Sequence, residues 1–315
     1  MALYLITGGA GFIGSNIVSE LLKRNEKVRV LDNFSTGKRE NLLPFNGQIE
    51  LIEGSITDLE TVRMAVKDVD YVLHQAALPS VPRSIEQPIN SNEVNVSGTL
   101  NLLVACKDEQ VKKVVIASSS SVYGNSEVMP KIETMLPMPL SPYAVSKLAS
   151  EYYAKVFYKI YNLQTICLRY FNVFGPRQDP NSQYSAVIPK FIKALMNEKQ
   201  PMIYGDGLQS RDFSFIENVV HANILAATTP NIGGISMNIA CNQAYSLLDI
   251  VKVLNKQLQT DIQPQFLPER KGDVKHSLAD ISFAKKIIGY DVQVHWEEGL
   301  QRTVEWYKQY GNDKP

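Results

Sequence analysis

At 315 residues and 44% hydrophobic content, the chain is long enough for two domains, or for one large domain with a lobe, and can bury a substantial core. Its 32 basic and 32 acidic residues cancel, which excludes the electrostatic footprint of a nucleic-acid or anionic-membrane binder, so an anionic substrate would need locally placed Arg and Lys. Three scattered cysteines (Cys106, Cys167, Cys241) offer neither a disulfide framework nor a metal site, and His74, His221, His276 and His295 lack metal-ligand spacing.

Leu3 to Ile6 is a short apolar run with no basic leader or cleavage site ahead of it, and no apolar run approaches the roughly 18 residues of a membrane span, so a cytoplasmic protein is expected. The run ends in Thr7-Gly8-Gly9-Ala10-Gly11-Phe12-Ile13-Gly14, after which Ile17, Val18, Leu21 and Leu22 recur at helical spacing. That is strand, glycine turn, helix. Gly8, Gly11 and Gly14 allow a tight turn, close approach of the backbone to a pyrophosphate, and close packing of helix on strand. The N–H groups around Phe12 and Ile13 add the positive potential of a helix start. Lys27 to Leu31 reads as a second strand that ends at Asp32, 18 residues after Gly14. An acid there accepts hydrogen bonds from the adenosine ribose and repels a 2′-phosphate, so NAD is predicted over NADP.

The alternation continues, with strands at 49–52, 71–75, 114–117 and 164–168 and helices at 59–66 and 94–105. It predicts an α/β fold with a Rossmann-type doubly wound parallel sheet. Ligands bind such sheets at the carboxyl ends of the strands, which selects Asp32 and Asn33, Ser55 and Ile56, Ala76 to Leu78, Ser118 to Ser121, and Tyr170 to Asn172. Ala76 and Ala77 are small enough to leave room for a dinucleotide. The hydroxyls of Ser119, Ser120 and Ser121 can both donate to and accept from a substrate oxygen.

Ser141-Pro142-Tyr143-Ala144-Val145-Ser146-Lys147 carries the chemistry. Ser141 is a good N-cap and Pro142 suits the first helical position, so a helix begins here. Tyr143 and Lys147 then share one face at i and i+4. A fixed cation favours the phenolate of a neighbouring Tyr and should lower its pKa, making a general acid/base that Ser119 could serve by relaying a proton.

After Asn172 proline and glycine become frequent and the alternation is lost, which predicts a smaller C-terminal α/β substrate lobe. The NAD-binding domain is expected over residues 1–170, rejoined by about 213–242, with 171–315 mainly the substrate lobe. Helices are read at 187–196, 218–227, 246–258 and 299–310, and a strand at 202–204. Arg211 and Arg270 stand in turn-like segments where each could bind a diphosphate bidentately.

With these residues in hand, the chain resembles the extended short-chain dehydrogenase/reductase family, and within it the nucleotide-sugar 4-epimerases. The motifs are Thr7-Gly8-x-x-Gly11-x-x-Gly14, Asp32-Asn33-Phe34-Ser35-Thr36-Gly37, His74-Gln75-Ala76-Ala77, Asn95-Val96-Ser97-Gly98-Thr99, Ser118 to Gly124, Tyr143-x-x-x-Lys147, Arg169 to Pro176, and Gly205-Asp206-Gly207 through Phe213. The resemblance implies a tightly held NAD that is not consumed, with Ser35, Gly37, Asn95 and Tyr170 joining the cofactor site. It implies that Tyr143, assisted by Ser119, takes the proton of the sugar 4-hydroxyl while carbon 4 gives up a hydride, and that the hydride returns to the opposite face of a 4-keto sugar. Lys147 would also hold the nicotinamide ribose. Asn172, Arg211, Arg270 and Asp273 match positions that bind the UDP moiety, and Val187 and Tyr204 fall on that side too. The Asn95 and Tyr143 helices look like those that form the family's dimer, a four-helix bundle.

Relatives that eliminate water or decarboxylate resemble one another in carrying an acid just before Val122-Tyr123-Gly124, where this chain has Ser119, Ser120 and Ser121. Simple epimerisation needs no such acid. In glucose-restricted epimerases a Tyr stands four residues after the match to Asp273; here it is Ser277, and Ala186 on the opposite wall is small too. Leu78-Pro79-Ser80-Val81-Pro82-Arg83-Ser84 and Arg177-Gln178-Asp179-Pro180 look similar to epimerases of UDP-N-acetylhexosamines, which often carry Gly at the position of Pro79. The expected reaction is UDP-GlcNAc/UDP-GalNAc interconversion, with UDP-Glc/UDP-Gal also accepted. The alternatives are a UDP-glucuronate 4-epimerase and a non-catalytic dinucleotide-sensing member of the superfamily.

Overall fold

The computed structural model describes residues 1–180, 186–269 and 275–310. Seven parallel strands form one sheet in the order Ile235–Ile239, Thr165–Tyr170, Lys113–Ser119, Tyr71–His74, Leu3–Thr7, Lys27–Asp32, Glu50–Glu53. Chain order reverses between Leu3–Thr7 and Tyr71–His74, and that is where a crevice opens at the carboxyl ends of the strands.

The strands are buried on both faces, and side chains alternate between two cores. Ile6, Val30, Leu73 and Val115 pack with Ile17, Leu21, Val219 and Ile224 on one face. Leu5, Leu31, Val72, Val114 and Ile116 pack with Val62, Leu102, Ala154 and Phe157 on the other. Each such side chain contributes about 1.5–3 kcal/mol on burial. A one-residue slip would exchange the two faces, so these cores fix the register that brings the strand ends level.

The Tyr143 helix runs over Pro142–Tyr161, with the Ser141 hydroxyl accepting from Ala144 N at 3.2 Å and Asn162 closing it in the left-handed region. Another helix differs from the sequence reading. The helical path expected from 94 starts at Pro88, and it passes through a π turn at Glu93–Ser97 into Gly98–Asp108. Pro88 suits a first helical position, but Asn90 to Asn92 carry no apolar period to betray the extra turns. The seventh strand, Ile235–Ile239, returns from the C-terminal half to pair with Thr165–Tyr170. Within that half, Ser210–Asp212 pairs with His276–Ser277, setting Ser277 against Arg211 across a long sequence gap.

Gly14 decides how closely the first helix approaches its strand. A Cβ there would lie 2.2 Å from the Gly8 carbonyl oxygen and 2.8 Å from Gly9 Cα, both unyielding backbone atoms, whereas a Cβ on Gly11 meets only the Gly8 oxygen at 3.2 Å. Gly14→Ala should therefore lose about 2 kcal/mol or more in urea unfolding of the cofactor-free protein, despite alanine's better helix propensity. Gly11→Ala should lose clearly less, and equal losses would contradict this packing.

Candidate active site

Two adjoining cavities lie at the crevice, one of about 1130 Å³ along the strand ends and one of about 730 Å³ under the C-terminal half, with Asn172, Val173, Ala186 and Arg211 common to both walls. The larger begins at the glycine turn. Gly8 takes a φ of +69°, and a Cβ on it would strike Ala76 N at 2.7 Å, so backbone and cleft meet with no side chain between them. Gly11 is the N-cap of Phe12–Lys23 and supplies no side-chain cap, which leaves the first N–H groups of that helix for an anion. Asp32 closes this end. Its Oδ2 accepts from Ala10 N at 2.9 Å and its Oδ1 from Phe34 N at 2.8 Å, while burial pushes its pKa up against those two bonds. Each carboxylate oxygen keeps further lone pairs for ribose hydroxyls. A bare glycine cradle, an uncapped helix start and a fixed acid fit the adenosine diphosphate half of a dinucleotide.

Asn33, Ser35, Gly37, Ser55, Ile56, Ala76, Ala77, Leu78 and Tyr170 line the same cleft. Asn95 does not. It is buried behind the wall, where its Oδ1 accepts from Leu78 N at 2.8 Å and its Nδ2 donates to Ser146 Oγ at 3.0 Å. Through the first of these bonds it holds the backbone of Leu78, which does line the cleft. Ser55 Oγ pairs with Thr57 Oγ1 at 2.8 Å.

At the far end of the cleft the Tyr143 helix meets the strand Lys113–Ser119. Lys147 Nζ donates to the Ala117 carbonyl at 2.8 Å and lies 5.9 Å from the centre of the Tyr143 ring. Burial lowers the Lys147 pKa to about 8. The Tyr143 pKa departs from the sequence expectation: burial raises it, and the Ser119 hydroxyl, rather than Lys147, holds it down. The reason is geometric, since the ammonium is spent on a carbonyl while a desolvated phenolate is costly. Ser119 is well placed for that part. Its Oγ accepts from Ser121 N at 3.2 Å, which leaves its own proton to give. The Ser121 hydroxyl is buried in the cleft wall with no hydrogen-bond partner among the described residues, a state that a polar ligand would relieve.

Ser80, Ser120, Asn172, Ala186, Arg211 and Ser277 also line the larger cavity, and Val187 and Tyr204 line the smaller. Asn172 Nδ2 donates to the Asp212 carbonyl at 2.9 Å, and Arg211 Nη1 to those of Ser210 and Lys275 at 2.9 Å. Ser80 caps the helix Val81–Glu86 with a φ of +140°, a strained backbone for a residue other than glycine, held between Pro79 and Val81-Pro82 at the cleft. Arg270 and Asp273 lie outside the described residues.

Sequence reasoning passed over Lys38, Glu151 and Asn223, each of which binds a residue that it had named. Arg177 donates to the Ser15 carbonyl at 2.9 Å and Lys38 pairs with Asp179 at 3.1 Å, so the segment after Pro176 is tied to the glycine-turn half. Gln75, Tyr170 and Asn223 join at 2.8–3.2 Å across three elements. Glu151 forms a buried pair with Arg169 at 2.7 Å. Only Glu151 had a readable signal, since it continues the i+4 series of Tyr143 and Lys147. His74 is spent structurally, with one ring nitrogen 2.7 Å from Thr7 Oγ1 and the other 3.0 Å from Thr99 Oγ1.

A sequence model described as the NAD dependent epimerase/dehydratase family matches residues 4–240. The chain belongs to this family. Its members use NAD, and the cradle, the uncapped helix and Asp32 are consistent with that cofactor. The fold matches a solved UDP-N-acetylglucosamine 4-epimerase from Methanobrevibacter ruminantium M1, in complex with UDP-N-acetylmuramic acid, at a TM-score of 0.93 and 43% identity over 98% of either chain. The UDP-glucose 4-epimerase of Mycolicibacterium smegmatis is 35% identical over 96% of this chain and 98% of its own length. The UDP-glucuronate 4-epimerase of Thermodesulfobacterium geofontis is 34% identical over 98% of this chain and 97% of its own length. The protein is an extended short-chain dehydrogenase/reductase, and Tyr143, Lys147 and Ser119 all line its switch-point cleft.

The balance at Tyr143 can be read directly. In a spectrophotometric titration of the cofactor-free epimerase, with the signal of a Tyr143→Phe variant subtracted, the Tyr143 phenol should titrate above an ordinary tyrosine. Ser119→Ala should move it higher still, because only desolvation then remains. A fall, or no movement, would contradict this role for Ser119.

Proposed function

We propose that the protein inverts carbon 4 of a UDP-hexose through a 4-keto sugar, with UDP-GlcNAc and UDP-GalNAc as the main pair and UDP-Glc and UDP-Gal also accepted. Tyr143 takes the proton of the 4-hydroxyl and gives it back. Ser119 passes its proton to the phenolate or to the sugar oxygen. Lys147, donating to Ala117, holds the helix against the strand end and reaches the cofactor ribose. Bound NAD supplies a fixed positive charge that favours the phenolate, and a centre that accepts and returns a hydride. Arg211 and Asn172, at the junction of the two cavities, together with Arg270 and Asp273 hold the diphosphate and its uridine ribose. The smaller cavity, walled by Val187, Tyr204 and Phe213, takes the uridine. On this reading residues 1–170 with about 213–242 carry the cofactor and the rest mainly the substrate.

The observation that carries the substrate choice is Ser277, held in register beside Arg211 in the wall of the larger cavity, with Ala186 also on that wall. Ser277 is small where glucose-restricted relatives place a Tyr, and Ala186 on the opposite wall is small too, which leaves room for a 2-acetamido group. The 43% identity to an enzyme named for UDP-N-acetylglucosamine supports the same choice. A uronate 4-epimerase is the second reading, favoured by the hydroxyls of Ser119 to Ser121 on the cleft and by the Thermodesulfobacterium relative.

No helix among the described residues is long and apolar enough to cross a membrane, and we place the enzyme in the cytoplasm. Val145, Tyr152, Tyr153, Val156 and Ile160 form an exposed apolar stripe on the Tyr143 helix at helical spacing, and Ile85 and, in the first turn of the Asn95 helical path, Ile89 are exposed on segments packed against that helix. This supports a homodimer through a four-helix bundle.

Incubating the purified protein separately with UDP-GlcNAc, UDP-Glc and UDP-glucuronate and resolving the products should give 4-epimers of the first two. Conversion of the uronate alone would overturn the assignment. Ser277→Tyr should then cut kcat/KM for UDP-GlcNAc by about tenfold or more while leaving UDP-Glc near the parent value.

A further inference from the structure

The apolar row of the strand Lys113–Ser119 that faces the Tyr143 helix is Val114, Ile116 and then Ser118, which is polar and only 3% exposed. Opposite it, within the buried stripe of the helix that also holds Ala144, Lys147, Ala154 and Phe157, stands Glu151. A buried carboxylate in such an interface is costly unless fully paired. Here every lone pair is used. Oε1 accepts from Ser118 Oγ at 2.5 Å and Arg169 Nε at 2.9 Å, while Oε2 accepts from Arg169 Nη2 at 2.7 Å and Ser236 Oγ at 2.9 Å. One carboxylate thereby joins the helix to three neighbouring strands of the sheet.

Stability alone does not account for the arrangement, because well-packed apolar residues often do as well as a buried ion pair. Direction does. Apolar helix–sheet contacts tolerate sliding, whereas hydrogen bonds fix position, and proton transfer needs its groups placed within about 0.5 Å. Tyr143, Lys147 and Glu151 follow one another at i, i+4 and i+8, and they engage Ser119, the Ala117 carbonyl and Ser118, three consecutive residues of one strand end.

We propose that Glu151 is a positioning residue of the reaction, which acts through Ser118 to set the distance between the Tyr143 phenol and the Ser119 hydroxyl. It touches neither substrate nor cofactor. This inference rests on the assignment of Tyr143 and Ser119 as the proton-transfer pair, which epimerase activity in the parent and its loss in Tyr143→Phe establish separately.

The test compares two deletions from the same carboxylate. Ser118→Ala and Ser236→Ala each remove one hydroxyl from Glu151 and leave the Arg169 pair in place, but only Ser118 adjoins Ser119. With the NAD-loaded enzyme, Ser118→Ala should lower kcat about tenfold with KM little changed, and should move the acidic limb of the pH–rate profile upward; Ser118→Thr, which keeps the hydroxyl, should restore both. Ser236→Ala should match the parent in kcat and pH profile while losing as much melting temperature as Ser118→Ala. If both alanine variants lose kcat alike, or if Ser118→Ala changes melting temperature and leaves kcat and the pH limb where they were, the carboxylate is structural and the proposal is overturned.

Discussion

A buried ammonium joined to a strand carbonyl is the contact on which this site depends. Lys147 Nζ, donating to the Ala117 oxygen at 2.8 Å, sits where a charge is expensive, and burial drags its pKa down to about 8. Its helix packs on the sheet through Ala154 and Phe157, but those apolar contacts would accept small displacements that proton transfer would not. The carbonyl bond, one turn from Tyr143, stops the helix at one height above the strand end. Everything the strand end then presents, Ser119 with its free proton and the unpartnered Ser121 hydroxyl, is placed relative to that stop.

The same strand-end geometry organises the rest of the cleft. A parallel sheet with two buried faces brings its carboxyl ends level, so the glycine turn, Asp32, Ala76 and Ser119 come from widely separated parts of the chain to one edge. Gly8 and Gly14 let the turn pack directly on neighbouring backbone at one end, and a desolvated phenol stands at the other. The other wall of the cavities arises differently. It draws on short strands in the C-terminal half, where pairing of Ser210–Asp212 with His276–Ser277 places a cation and a small residue side by side.

How much of this could be read from sequence follows the range of the interactions. Features set by local rules were legible: the Ser141 cap and Pro142 start of the Tyr143 helix, the turn from Leu3–Thr7 into Phe12–Lys23, and Asp32 at its strand end. Periodicity found the central strands, because two buried faces require continuous apolar runs. It missed the start at Pro88, where polar residues begin a helix, and the bond by which Asn95 holds the Leu78 backbone. The direction of the Tyr143 shift was also out of reach. Spacing on a helix tells which residues share a face, but only packing tells that the ammonium is spent on Ala117 and that desolvation prevails. The Gln75, Tyr170 and Asn223 cluster joins residues whose separations no local pattern records.

The central claim is that one carbon loses and regains the same hydrogen within a closed site. A UDP-sugar carrying deuterium at carbon 4 tests it most directly, with the product examined by NMR after turnover in ordinary water. The account predicts a 4-epimer that keeps its deuterium at carbon 4. Loss of the label to solvent would mean that carbon 4 is inverted by proton exchange, and the hydride route would be wrong.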